Sequence, residues 1–454
     1  MTGHASVKKY LITEQLMKTT LKSFSLIILL TCFSASELFA GGYQLNLFGQ
    51  RQIGMAHTGT GLALDYATIS MNPGGMSFVD GNGLLFGTSA TFLNTTFRTG
   101  PDLLPVLPGE IEEKTIRNVR TPFSVYAGFD TGLNGLKAGL GVYTPYGNSI
   151  EWDDNWLYRG LLTNISLSAI YIQPTVSYQL SERLSVGAGL IYAIGSVNLQ
   201  RNPDIDLSQL GIPNPVPLEI ELDGTTTAFG YNVGVYYQHN SAFSVGVSYR
   251  SRINMDLDGG DAIFTLPETV PEAAAQQLFP EGNTFDASLP LPAVLSIGTG
   301  IRASDVMRLA IDFNLTFWSA YESLAFDFET NTPALQDSDE PRNFRDSFSL
   351  RVGAEYDATS RLQLRLGTYI DQSPVSRGFI TPETPDVHRY GITAGLGFEL
   401  IENLDLNASL LFITSFEREQ NIQNASAEGT PSVVPIGKFQ TNAFIPGVSV
   451  GYRF

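Results

Sequence analysis

Cysteine is nearly absent from this chain. The only one, Cys32, falls in an N-terminal apolar run, so the rest of the 454 residues can form no disulfide and offers no thiolate. Long hydrophobic runs are missing too. None beyond that region reaches the ~18 residues that a helix needs to cross a bilayer. Charge is scarce, at 16% of residues against the ~25% usual in soluble domains. Basic charge is scarcest, with 27 Lys and Arg to 45 Asp and Glu. A net charge of −18 and the lack of a basic stripe exclude nucleic acid as a partner. The acidic excess reads as solvated loops. In abundance are Gly (44), Phe (28) and Tyr (19).

The apolar run, Phe24 to Phe33, follows Lys18 and Lys22 and precedes small residues ending at Ala40. That order is a secretory signal. Residues 1–40 are expected to be removed after Ala40, with Met17 the better start. Thr31 fits a lipid-modified Cys32 poorly.

Beyond the signal, bulky apolar residues alternate with small or polar ones, the period of a strand. Leu184, Val186, Ala188, Leu190, Tyr192 and Ile194 share one face against Ser185, Gly187, Gly189, Ala193 and Gly195. Phe444, Val448, Val450, Tyr452 and Phe454 oppose Ala443, Gly447, Ser449, Gly451 and Arg453. Fourteen such segments are read, at 82–98, 119–129, 136–146, 163–180, 183–200, 219–239, 242–257, 290–302, 306–328, 344–357, 361–371, 388–400, 404–418 and 438–454. Short and long connections alternate strictly between them. Bulky residues outward, small and polar residues inward, and an even strand number predict an all-β fold: a 14-stranded antiparallel transmembrane β-barrel over residues 81–454, in a Gram-negative outer membrane. Both termini then lie on the periplasmic side.

Residues 41–80 do not fit the strand pattern. They are Gly-rich, and Leu62, Leu64, Ile69, Met71 and Met76 would be exposed in a free tail. They are expected to fold into the lumen as a plug. Two connections, 201–218 and 258–289, are apolar for surface loops. Leu210 and Ile212 in the first, and Phe264, Leu266 and Phe279 in the second, are candidates for capturing an apolar ligand, or they pack on one another. Residues 271–279 read as a short helix. Strand parity points Arg250, Asp312, Arg351, Glu355 and Arg365 inward, with Arg250 near the outer rim and Asp312, Arg351 and Arg365 near mid-barrel. These charges either pair with one another, or Arg250, Arg351 or Arg365 clamps a ligand carboxylate.

Outside the signal the histidines are His57, His239 and His388, in the plug, at a periplasmic turn and at an outer strand end. They are too scattered for a triad, and no metal-ligand spacing occurs, so no catalysis, metal or cofactor is expected. The expected partners are a hydrophobic small molecule and the membrane lipid, with the chain acting as a monomer. A general or substrate-specific diffusion porin is the other reading, and the plug and apolar loops argue against it.

The chain resembles the FadL family of outer-membrane transporters for long-chain fatty acids and, in relatives, aromatic hydrocarbons. The resemblance rests on Gly42-Tyr-Gln-Leu-Asn, Gly54-Met-Ala-His-Thr-Gly59 and Ala67-Thr-Ile-Ser-Met-Asn-Pro-Gly74, on Pro145-Tyr-Gly147 with Trp152 and Trp156, and on Tyr249-Arg-Ser251, Leu291-Pro292, Asp371-Gln-Ser-Pro374 and the terminal Gly451-Tyr-Arg-Phe454. Where the family usually has Asn-Pro-Ala, this chain has Asn72-Pro73-Gly74, which frees the local backbone. The resemblance implies that the plug, with Asn72, Pro73 and Gly74, is the gate. It also implies that ligand leaves sideways through a kinked strand. Pro122 and Pro145, at the upper ends of the second and third strands, place that opening between them, with Gly139 and Gly141 facing the path. The ligand is left open among fatty acid, alkane, aromatic and lipid-like signal.

Overall fold

The computed structural model describes residues 41–212, 215–426 and 430–454. The expected signal, residues 1–40, and Pro213 lie outside them. The alternating segments close into one antiparallel wall. Its strands are β1 (Gly83–Ser89 and Thr91–Thr99), β2 (Phe123–Asp130), β3 (Leu136–Glu151), β4 (Asn164–Ser181), β5 (Leu184–Arg201), β6 (Glu219–Asn240) and β7 (Phe243–Arg250 and Ile253–Thr265). They continue as β8 (Thr284–Leu291 and Val294–Ser304), β9 (Met307–Thr316 and Ser323–Phe328), β10 (Ser338–Pro341 and Ser347–Asp357), β11 (Leu362–Asp371), β12 (Arg389–Ile401), β13 (Leu404–Ser415) and β14 (Gly437–Arg453). The first strand closes on the last, with Gly83 opposite Arg453 and Ser89 opposite Gly447. Closure leaves no sheet edge in the bilayer.

The outward face carries Leu190, Ile297, Leu366, Ile392 and Val448, all exposed. Aromatic contacts mark its two rims: Phe92 with Phe444 and Tyr192 with Phe229 above, Phe129 and Tyr452 with Phe454 below. An apolar band between aromatic girdles is what a lipid-facing barrel surface requires.

Several strands differ from their expected extents. β7 runs on to Thr265 and β8 begins at Thr284, so much of the expected loop 258–289 is wall. Its helix is α1 (Glu272–Leu278). β7 breaks at Ser251 and Arg252, and the alternation shifts by one residue across the break, so Arg250 and Ile253, three apart in sequence, both face inward. β3 is sixteen residues long, and β2 alone is short.

Residues 41–80 fill the lumen. They contain two short helices, Gln50–Gly54 and Thr68–Met71, and a 3-10 turn, Pro73–Phe78. Short helices and turns pair many plug N–H and carbonyl groups internally, and the wall satisfies others, as buried polar groups demand. The Asp312 carboxylate accepts the Gly59 and Thr60 N–H groups at 2.9 and 2.8 Å. Ser244 and Ser248 donate to the Gly61 and Met71 carbonyls, each at 2.6 Å. Arg51 makes a two-pronged contact with Glu355 at 2.7 and 2.8 Å, and Glu355 also takes Arg308 and Arg365.

Asn72 accepts the Gly74 N–H and donates to the Thr60 and Val235 carbonyls. Pro73 opens the 3-10 turn, where its missing N–H costs nothing. At Gly74 a Cβ would lie 2.7 Å from the Gly234 carbonyl oxygen. The glycine there serves close approach of plug to wall rather than the looser backbone expected from the sequence.

Candidate ligand-binding lumen

Above the plug the inward residues turn apolar. Ile165, Leu199, Met255, Leu257, Phe285 and Phe326, from β4, β5, β7, β8 and β9, line a cleft of about 100 Å³. Tyr43 of the plug forms part of its floor, with its hydroxyl donating to the Pro290 carbonyl at 2.7 Å. A cleft lined by so few polar groups suits an apolar ligand. An aromatic file leads into it from the loops: Phe279 stacks on Phe264 at 5.2 Å, Phe264 meets Phe328, and Phe328 meets Phe285.

The capture residues read from the sequence divide. Phe264, Leu266 and Phe279 pack with the apolar cluster above the cleft. Ile212 and Leu266 also pack on Leu207, Val216 and Val270, joining the two loops. Leu210 is exposed and lines neither this cleft nor the next. The packing of the two loops on each other is the second of the sequence alternatives.

A second cleft, about 390 Å³, lies beside β1, β2 and β3. It exists because the wall pairing stops there. β2 and β3 pair from Asp130 and Lys137 up to Ser124 and Tyr143. The strands then part after Pro122, and contact resumes where Arg120 donates to Ser149 at 2.8 Å and the Ile116 N–H to the Glu151 carbonyl at 2.7 Å. Within β3, Thr144 and Pro145 form a bulge against β4, so Tyr143 and Tyr146 both turn inward. The vacated edge of β3 is taken by the plug. Leu45 donates to the Pro145 carbonyl at 2.8 Å, and Gly147 donates to that of Tyr43 at 3.0 Å. Residues 41–48 thus act as a strap across the lumen. Its start is held by Asp386, which accepts the Gly42 N–H, and by Arg389, which donates to the Gly42 carbonyl.

The two clefts share Asn148, Leu167, Ser168, Glu383 and Thr384 as a neck. Asn148 donates across it to the Glu383 carbonyl at 2.5 Å, and the Glu383 carboxylate pairs with Arg342 at 2.6 Å. Gly139 and Gly141, placed by the sequence in the lateral path, pack instead on Ile69 and Met76 of the plug, below the gap.

The three arginines have different surroundings. Arg365 is at the periplasmic end, not mid-barrel, and is saturated by Glu355 at 2.8 Å and Asn407 at 2.7 Å. Arg250 is not at the outer rim: because β7 is longer than expected, it lies mid-lumen under Tyr143, Tyr146 and Phe48. Arg351 sits mid-lumen as expected, with one nitrogen 3.4 Å from the His57 carbonyl. Sequence reasoning missed Tyr43, Tyr146 and Asn148. The Pro145 that places the last two was visible, but the partner segment lies a hundred residues away.

A closed fourteen-stranded wall, a lumen plugged from its own N-terminus and an apolar cleft above the plug define an outer-membrane transport barrel for hydrophobic compounds. The chain belongs to the outer membrane protein transport protein family (OMPP1/FadL/TodX), which it matches over residues 31–454. It is 24% identical over 431 residues to outer membrane protein P1 of Haemophilus influenzae, covering 87% of this chain and 90% of that one. It is 23% identical to the long-chain fatty acid transport protein of Escherichia coli O6:H1 (strain CFT073), covering 96% and 99%. Among solved structures, a Pseudomonas aeruginosa FadL homologue superposes with a TM-score of 0.76 at 18% identity, over 92% of this chain and 100% of that one. The Ralstonia pickettii toluene transporter TbuX superposes with a TM-score of 0.66 at 16% identity, over 89% and 98%. The family and fold are those of transporters, not enzymes.

Proposed function

We propose that this protein takes up long-chain fatty acids or similar hydrophobic molecules, as a monomer, by capture at the loops, gating at the plug and lateral release into the membrane. The observation that carries the reading is the junction of the two clefts at Asn148. An apolar cleft fed by aromatic loop residues meets, at one neck, a second cleft lying where β2 and β3 part. An apolar molecule gains from each step, because every surface along the way removes it from water. The strap crosses the floor of this route, held by a few backbone hydrogen bonds, and its displacement joins the clefts more widely. The relatives named for fatty acid and toluene transport support the substrate class. A diffusion porin fits less well, since plug and wall leave the lumen filled.

Replacing Phe264, Leu266 and Phe279 together by serine tests the capture step. Each buried side chain contributes ~1.5–3 kcal/mol of apolar contact, so ligand uptake at low concentration is expected to fall at least tenfold, by the ~1.4 kcal/mol that a factor of ten represents. Normal heat-modified gel mobility would show an intact barrel. Unchanged uptake in such a barrel would remove the loops from the route.

A further inference from the structure

The strap's ties to the wall run to Pro145, Gly147, Asp386 and Arg389. Its tie to the rest of the plug is His57, whose Nδ1 lies 2.7 Å from the Asn46 carbonyl oxygen. A carbonyl oxygen only accepts, so Nδ1 carries the proton and donates. The imidazole is buried and meets the Tyr369 ring of β11 edge to face, with centroids 5.3 Å apart.

The turn that carries this ring is fixed. Ala56 and His57 both hold left-handed backbone, at φ +58° and +61°. Residues with a Cβ keep that conformation only where their surroundings impose it. Here the wall imposes it. The Thr393 hydroxyl of β12 accepts the Ala56 N–H at 2.9 Å and donates to the Gly54 carbonyl at 3.0 Å. Gly367 of β11 lets the turn press on the wall, since a Cβ there would stand 2.6 Å from the Ala56 nitrogen. The His57 N–H donates to the Gln52 carbonyl at 2.7 Å, and Asp312 holds the next two N–H groups, those of Gly59 and Thr60 after Thr58. The ring therefore stands still while the strap beside it is an extended segment. Lifting the strap strips the buried Asn46 carbonyl of its donor, which costs the desolvation of that group. It also withdraws Leu47 from Ile53, Ala56 and Tyr369.

We propose that His57 is the latch of the gate: its Nδ1–H holds the Asn46 carbonyl and sets how often the strap lifts. The inference rests on the transport reading above and names the residue that governs its gate. His57 acts through the strap, as a positioning residue, and touches no ligand. Because the turn stays on the wall, the strap lifts while residues 49–80 keep the barrel closed to ions.

A cysteine reports the strap directly, since residues 41–454 contain none. Leu47→Cys puts one on the buried side of the strap, where a maleimide reaches it when the strap lifts. His57→Phe keeps a ring against Tyr369 and lacks the donor. In the Leu47→Cys background it is expected to quicken labelling about fivefold or more, the loss of one buried hydrogen bond. His57→Asn should label at the parent rate, because asparagine tolerates left-handed backbone and its amide N–H stands where Nδ1–H does. His57→Gly suits the same backbone without a donor. It should label as fast as the Phe variant, so a Phe variant that does not fold leaves the test intact. Parent-like labelling of the Phe and Gly variants overturns the proposal, and so does an Asn variant that labels as fast as the Gly variant. Labelling needs no ligand. A parent that follows the expected order yet delivers no fatty acid therefore keeps the latch and loses the transport reading.

Discussion

Deleting residues 41–80 is expected to convert the barrel into an open pore, raising single-channel conductance on the order of tenfold, because a fourteen-stranded wall encloses a lumen too wide for its own side chains to fill. The plug supplies what those side chains cannot. It is held by Asp312 on the Gly59 and Thr60 N–H groups, by Ser244 and Ser248 on the Gly61 and Met71 carbonyls, and by Glu355 on Arg51. Since the deletion also removes packing that the wall relies on, Glu355→Ala provides a second route. It leaves Arg51 and Arg365 without the carboxylate that holds them, while Arg308 keeps Asp357, a loss of about 3–5 kcal/mol for a buried pair. Such a variant should show brief opening events in planar bilayers where the parent shows none. Conductance equal to the parent's in both variants would mean that the plug does not close the pore.

Asn148→Trp has the second large expected effect. Asn148 is one of the wall side chains shared by the apolar cleft and the cleft beside β1, β2 and β3, and its amide spans the neck to the Glu383 carbonyl. An indole there fills the neck while leaving the aromatic file from Phe279 to Phe285 untouched. Ligand should still bind from outside, yet uptake should drop about tenfold or more, which is ~1.4 kcal/mol on the barrier. Full uptake with the ring in place would send the ligand along another path, such as downward past the plug. Tryptophan at Gly139 or Gly141 is a poorer probe, because a side chain there meets Ile69 and Met76 and disturbs the plug instead.

The wall was legible because strand alternation is a local property with period two, and both faces carry a strong signal: Leu190 and Ile194 outward, Gly189 and Ala193 inward. The breaks were not. β7 is interrupted at Ser251 and Arg252, and nothing local in Arg250-Ser-Arg-Ile253 announces that the alternation will shift by one residue. Asp258 and Asp261, within the expected loop 258–289, are strand residues facing away from the lumen. Arg250 was misplaced for that reason. The cleft beside β1, β2 and β3 was half legible: Pro122 and Pro145 lie where β2 and β3 part, but the strap that occupies the vacated edge pairs Gln44 with Tyr146 across a hundred residues. Such a pairing leaves no periodicity to read. The apolar loops were identified by composition, yet composition could not separate exposed Leu210 from buried Phe279.

The central claim is that this barrel passes hydrophobic molecules and not small hydrophilic ones. Its most direct test places the purified protein in liposomes and compares permeation of sucrose, read by swelling, with delivery of a fluorescent long-chain fatty acid to an acceptor protein trapped inside. The account predicts that fatty acid delivery rises well above that of empty liposomes while sucrose permeation stays at the empty-liposome rate. Swelling by sucrose with no gain in fatty acid delivery would contradict it and make the protein a diffusion porin.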